Sequence, residues 1–194
     1  AVDSCGNSNN CTQVLTVQDT TRPAITCPAN VTINCEASIA AVVNGTATAT
    51  DNCTDVVTNI TFNDTRTNGS CNDNYTLARL WTAVDSCSNS NNCTQVLTVQ
   101  DTTRPAITCP TDVTINCEAS TAAAANGTAA ATDNCTDVVT NITFNDTRTN
   151  GSCNDNYTLA RLWTAVDSCG NSNNCTQTIT VQDTTRPAIT CPAN

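Results

Sequence analysis

The chain copies itself, and the length of the copy constrains everything else. The stretch "AVDSCGNSNNCTQVLTVQDTTRPAITCP" at Ala1 returns with small changes at Ala83 and Ala165, a period of 82 residues. Residues 1–82 and 83–164 differ at only seven positions, four of them between residues 39 and 48. A period of this length marks a small folded unit repeated along the chain. The polar run Asp-Thr-Thr-Arg before Pro23 and Pro105 reads as a short linker entering an extended segment. That places complete units at 19–100 and 101–182. Residues 1–18 then read as the last strands of a preceding unit, and 183–194 as the first strand of a following one.

Within a unit, strand patterns dominate. "PAITC" and "VTINC" alternate, with Ile25, Cys27, Val31, Ile33 and Cys35 on one face. "VVTNITF" sets Val56, Ile60 and Phe62 against Val57, Asn59 and Thr61. "NYTLARLWTAV" and "CTQVLTV" supply Trp81, Leu97 and Val99, and turn chemistry fills the gaps. The Ala-rich segments near residues 40 and 122 are short and broken by glycine, so no helix is expected. The pattern predicts an all-β fold of about seven short strands per unit, in tandem immunoglobulin-like sandwiches. One Trp, one Tyr and one Phe per unit make a thin core, and thin cores need covalent staples.

Fifteen cysteines, no histidine and no CxxC pair point to a disulfide framework rather than zinc. The phasing puts six cysteines in each unit and leaves Cys5, Cys11 and Cys191 over, with partners expected outside this stretch.

The segments "DTTRPAITCPANVTINC", "ATDNC" and "RLWTAVDSCGNSNNCTQTITVQD" resemble the hyalin-repeat (HYR-type) immunoglobulin-like modules of long, cysteine-rich secreted proteins. The resemblance covers essentially every unit. It implies a β-sandwich in tandem, adhesion or extracellular scaffolding, and no catalysis. In such a sandwich Cys27 and Cys93 share parity with inward residues and are expected to pair. Cys53 and Cys87 occupy similar loops, which the topology would bring to one pole, and Cys35–Cys71 follows by elimination. The same scheme gives Cys109–Cys175, Cys135–Cys169 and Cys117–Cys153. A local Cys87–Cys93 loop is the chief rival, and spacing alone does not decide among the connectivities.

The chain carries a net charge of -10 with only seven basic residues, which excludes a nucleic-acid footprint. No apolar run is long enough to span a bilayer. Sixteen Asn-x-Ser/Thr triplets make covalent glycans the expected decoration. The better acceptors are Asn30, Asn44, Asn59, Asn63, Asn68 and Asn74, with Asn126, Asn141, Asn145, Asn150 and Asn156 in the second unit. Asn59 and Asn63 fall opposite Ile60 and Phe62, and so point to solvent. The Asn-Cys-Thr triplets, such as Asn52 and Asn92, are poorer, because a neighbouring disulfide shields them. The bland alternative is that Asn and Thr are simply good turn and strand-surface residues.

Two smaller features remain. Asp51, Asp55 and Asp85, joined by Asp19, would gather at one pole if Cys53 and Cys87 were bridged. Asp133, Asp137 and Asp167 would do so with Asp101. Such hard oxygen clusters could bind calcium, although solvated turns are the simpler reading. Arg79 and Trp81 share strand parity. Either the cation stacks on the ring, or Trp81 is core and Arg79 covers its edge, the reading preferred here. No Ser-His or Cys-His pair exists, so no enzyme is expected. The leading expectation is a structural subunit of a glycosylated extracellular fibre or stalk, its partner another copy of itself. The alternatives are a binding module for carbohydrate or receptor and a repeat region appended to a secreted enzyme.

Overall fold

A computed structural model describes residues 1–53, 57, 59–135, 139 and 141–191. The chain is mainly β and disulfide-bonded, with no helix long and apolar enough to cross a membrane. The first repeat contains β1 (Ala24–Thr26), β2 (Val31–Asn34), α1 (Ala41–Asn44), β3 (Thr48–Thr50), β4 (Asn59–Asn68), β5 (Tyr75–Val84) and β6 (Ser90–Gln100). The second contains β7 (Ala106–Thr108), β8 (Val113–Asn116), α2 (Ala123–Asn126), β9 (Ala130–Thr132), β10 (Asn141–Asn150), β11 (Tyr157–Val166) and β12 (Ser172–Gln182). Among the described residues each repeat therefore has six strands rather than seven, three of them long.

Each repeat forms a two-stranded antiparallel sheet and a four-stranded mixed sheet. The orders are β1-β3 and β2-β6-β5-β4, then β7-β9 and β10-β11-β12-β8. In the second repeat β11 pairs antiparallel with β10 (Phe144↔Trp163) and with β12 (Trp163↔Cys175). The short β8 adds to the other side of β12 in parallel, Val113 opposite Ile179. Strict alternation places Leu159, Arg161, Trp163 and Ala165 on the buried face of β11, and Gln177, Ile179 and Val181 on that of β12. Leu159, Ile179 and Val181 form one core cluster among the described residues, with Val113, Ile115, Cys117 and Tyr157 packed around it, and Trp163 and Ala165 are buried as well. Each such side chain contributes about 1.5–3 kcal/mol when fully buried, so a core this small leaves real work for cross-links.

Chain contacts divide the molecule into two compact units that do not follow the repeat boundaries. One comprises 1–29, 45–64 and 79–95; the other comprises 30–44, 65–78 and 96–194. The long strands β4, β5 and β6 each contribute residues to both.

Three sequence expectations need correction. The segments near residues 40 and 122 do form a single helical turn. Ser38 Oγ accepts from Ala40 N (3.2 Å), Asn44 Nδ2 donates back to Ser38 O and Ala40 O (2.7 and 3.0 Å), and Gly45 ends the turn at φ +96°. A Cβ at Gly45 would lie 2.8 Å from Pro28 Cβ, so both backbone and space demand glycine there. Phe62, read as inward, is 46 % exposed, and covers Trp81 at 5.0 Å between ring centroids. Trp81 is core, as read, at 3 % exposed, but Arg79 is itself buried rather than an outer cover. It is 1 % exposed, donates to both carboxylate oxygens of Asp64 at 2.8 Å, and lies 4.5 Å from the Phe62 centroid. Parity put an arginine on the inner face, and only a carboxylate on the neighbouring strand makes that tolerable. Arg161, Asp146 and Phe144 repeat the arrangement.

Candidate functional site

The cysteines carry the most informative geometry. Cys27 bonds Cys93 and Cys109 bonds Cys175, each across 66 residues, with Cα atoms 5.8 Å apart. These bridges tie the segment after each linker proline to the last long strand of the same repeat. Side-chain amides reinforce them. Asn91 and Gln95 donate to Pro23 O and Ala29 O, while Asn173 and Gln177 donate to Pro105 O and Thr111 O.

The remaining bridges cross from one repeat to the next. Cys35 bonds Cys135 and Cys71 bonds Cys169, with Cα atoms 6.1 and 5.2 Å apart. The pairings Cys35–Cys71 and Cys135–Cys169 within a repeat are therefore not formed. Cys87 is an exposed thiol, so neither Cys53–Cys87 nor Cys87–Cys93 exists. Cys117 and Cys153 are also thiols, half-buried and exposed respectively, and are not joined to each other. The expectation treated six cysteines as a closed set. Cys35 and Cys71 instead bond the next repeat, and not at the copies of their expected partners: Cys35 takes Cys135, the counterpart of Cys53, and Cys71 takes Cys169, the counterpart of Cys87. Cys5, Cys11 and Cys191 are exposed thiols.

An acidic cluster lies beside one of these bridges. Asp101, Asp133 and Asp167 each bring a carboxylate oxygen within 4.8 Å of the others, and Asp101 is equally close to the sulfurs of Cys35 and Cys135. Turn geometry positions them. Asp167 Oδ1 accepts from Cys169 N and Asn171 N (2.9 and 2.8 Å), Asp133 Oδ2 from Cys135 N (3.3 Å), and Asp101 Oδ1 from Thr103 N (3.0 Å). Asp133 Oδ1 and Asp167 Oδ2 are buried and accept no hydrogen bond among the described residues. Burial first, then the charges of Asp133, Asp167 and Asp73, pushes the Asp101 carboxyl above the ordinary carboxylate range. The two ion pairs found among the described residues lie elsewhere, at Arg79–Asp64 and Arg161–Asp146. Three converging hard oxygens, with no ion pair to any of them among the described residues, offer the ligand type that a divalent ion such as calcium takes.

In the first repeat Asp19 and Asp51 converge with Cys53, while Asp85 is buried and bonded to Asn89. Asp101, Asp133 and Asp167 thus converge without the bridge invoked to gather them, whereas the group in the first repeat does not include the expected Asp85 among the described residues. Asp55 and Asp137 lie outside the described residues.

The sugar-acceptor asparagines sort by what holds their amides. Asn59 and Asn63 on β4, and Asn141 and Asn145 on β10, are exposed on strands at the sheet edge. Asn68 and Asn150 are exposed, each accepting from a neighbouring arginine. Asn74 and Asn156 are half-buried and accept from Asp101 N and Asp183 N (2.7 and 2.6 Å). Asn30 is exposed, and its Oδ1 accepts from Val96 N (2.8 Å). Asn44 and Asn126 are poor acceptors in the folded chain. Asn126 is 9 % exposed, and its Nδ2, the atom that would carry the sugar, donates to Ser120 O and Ala122 O. Asn44 spends its Nδ2 in the same way. The signal was visible in sequence as Ser38 and Ser120 six residues ahead of an Asn-Gly.

Shallow grooves of about 250 and 260 Å³ recur at the same place in each repeat, one along Gly151, Asn156, Tyr157 and Thr180, the other along Gly69, Asn74, Tyr75 and Thr98. Among the described residues, a tyrosine is the only titratable side chain lining either. No protein-family model matches the chain, and no curated protein sequence matches it.

Proposed function

We propose that the chain is a structural segment of an extracellular fibre or stalk, built of tandem immunoglobulin-like repeats of the hyalin-repeat type and clothed in N-linked sugar. It has no catalytic role. The observation that carries the reading is the pair of bridges Cys35–Cys135 and Cys71–Cys169, which spend four cysteines on holding neighbouring repeats together. Bonds of this kind give an array the same covalent joint at every junction. Disulfides at this density belong in an oxidising compartment. Exposed asparagines on the edge strands β4 and β10 support the sugar coat, which would also keep those edges from pairing with other chains. Calcium at Asp101, Asp133 and Asp167 would neutralise the acidic junction.

The test is electron microscopy of the natural material together with its intact mass before and after enzymatic removal of N-linked sugar. Filaments whose length follows repeat number, and a large mass loss, are expected. Monomeric particles with no mass change would sink the reading.

One observation favours a second reading, a binding module. Ile39, Val42 and Val43 of the first repeat are exposed apolar side chains, and the second repeat has Thr121, Ala124 and Ala125 there. A carbohydrate or receptor that bound the chain and was lost on Val42→Ala would support this alternative.

A further inference from the structure

The two inter-repeat bridges state a rule. Shifted back by one period of 82 residues, Cys135 corresponds to Cys53 and Cys169 to Cys87. Each bond therefore runs from the Cys35 place of one repeat to the Cys53 place of the next, or from the Cys71 place to the Cys87 place. In the second repeat the Cys35 and Cys71 places are Cys117 and Cys153, both of them thiols. We propose that Cys117 and Cys153 form an open covalent junction whose partner is a further copy of this same repeat, joined through its cysteines at the Cys53 and Cys87 places.

Local geometry supports the rule at each position. Cys35 N donates to Gln100 O at 3.1 Å, and Cys117 N to Gln182 O at 3.0 Å. Asn34 Nδ2 reaches Thr103 Oγ1, and Asn116 Nδ2 reaches Thr185 Oγ1 (3.1 and 3.4 Å). Asn74 N donates to Cys71 O, and Asn156 N to Cys153 O (3.2 and 3.1 Å). The unbonded cysteines are thus already held as their bonded counterparts are. The receiving side matches as well: Asp85 N donates to Asn89 O around Cys87, as Asp167 N does to Asn171 O around Cys169 (3.1 and 3.0 Å). Asp183 also acts on Cys117 as a close carboxylate, in the place that Asp101 takes beside Cys35 and Cys135. Partial burial, then the charges of Asp183, Asp155 and Glu118, pushes the Cys117 thiol up, so its exchange is faster in alkaline buffer.

Each bond forms by exchange with a small-molecule disulfide such as oxidised glutathione. One cysteine thiolate attacks it, expelling one glutathione thiolate and leaving a mixed disulfide. The second cysteine thiolate displaces the other glutathione. Two protein thiols become one disulfide, and two reduced glutathiones carry away the electrons and protons.

The inference rests on the array reading only for where it operates, and its test is separate. Two samples are oxidised in glutathione buffer and digested with pepsin at low pH, and their cross-linked peptides are identified by mass spectrometry. The first is the full chain, mixed equally with a nitrogen-15-labelled copy. The second is the full chain lengthened by one more copy of residues 101–182 inserted after Gln182. Cys27–Cys93 and Cys109–Cys175 report folding in both. In the lengthened chain Cys117 and Cys153 are expected to bond the added cysteines equivalent to Cys135 and Cys169. The six added cysteines would then bring three new bridges and no additional free thiol. In the labelled mixture, a mixed-isotope Cys153–Cys87 peptide would identify a second chain as the partner; its absence beside a positive lengthened chain assigns the partner to the same chain. A Cys153→Ser variant of the lengthened chain should lose one bond and keep the one at Cys117. Cys117 bonded to Cys153, or both still open to iodoacetamide in the lengthened chain, overturns the proposal. Mapped bonds without filaments would leave the bonding rule standing and sink the fibre reading instead.

Discussion

The first and second repeats are nearly the same string, yet their cysteines stand in different states. Cys35 and Cys71 are bonded, while Cys117 and Cys153 are thiols; Cys169 is bonded, while its equivalent Cys87 is a thiol. The strands, the one-turn helix and the buried Arg–Asp pair recur unchanged. What a repeat does on its own is written in its own residues, and what it does with these cysteines is decided by its neighbour.

The sharpest way to break this comparison is to remove the bond that both repeats share. By the chain-entropy argument, closing a loop of 66 residues stabilises by about 4 kcal/mol. Cys27→Ser and Cys109→Ser should each cost about that much in a denaturant titration. A clearly unequal cost would show that the repeats are not energetically alike. Next come Arg79→Ala and Arg161→Ala. Each strands a carboxylate, and a loss of about 3 kcal/mol in either is expected. Calorimetry showing less than about 1 kcal/mol would mean the pair is screened by solvent.

A smaller effect separates the repeats. Asn30 in the first and Asp112 in the second accept the same kind of backbone hydrogen bond, from Val96 N and Thr178 N (2.8 and 2.7 Å). Loss of either by substitution with Ala should cost about 1 kcal/mol. Only Asn30 lies in an acceptor triplet, so glycopeptide mapping should find sugar at Asn30 and none at residue 112.

The smallest effect is on pH. Burial raises the folded-state pKa of Asp101 above its unfolded value. The folded chain then keeps that proton to higher pH than the unfolded chain does. Its contribution to stability is greatest below the ordinary value of 3.8 and is lost as pH rises through the raised value. Asp101→Asn should flatten that part of the profile of Tm against pH, and millimolar calcium should raise Tm near neutrality in the parent but less in Asp101→Asn. Identical calcium responses would remove the ion from this cluster.

Much of the fold was legible because it is local. Alternation in "YTLARLWTAV" and "CTQVLTV" marked the buried faces of β5 and β6, and the parity of Cys27 and Cys93 is the parity of the bridge that joins them. The parallel pairing of β2 with β6, Val31 opposite Leu97, was not legible, because alternation fixes the faces of a strand but neither its neighbour nor its direction. The inward arginine broke the hydrophobic pattern, and its carboxylate fifteen residues away in sequence gave no periodic signal. The acidic cluster was expected only through a bridge that does not exist, because turn-forming aspartates by themselves say nothing about which loops meet. The inter-repeat bonds stayed hidden because reading one unit at a time assigns every cysteine a partner inside it.

The bridge Cys27–Cys93 spans one repeat and Cys109–Cys175 the next, with only fifteen residues of chain between Cys93 and Cys109. A pulling force applied at Cys27 and Cys175 therefore travels through two disulfides and that short stretch, whatever happens to the remainder. At about 3.4 Å per extended residue and about 6 Å for each bridge, tearing both repeats open would lengthen this path to roughly 65 Å, where a reduced chain would extend to on the order of 500 Å. The two sulfur bonds therefore set how far this segment can be drawn out before a covalent bond must break.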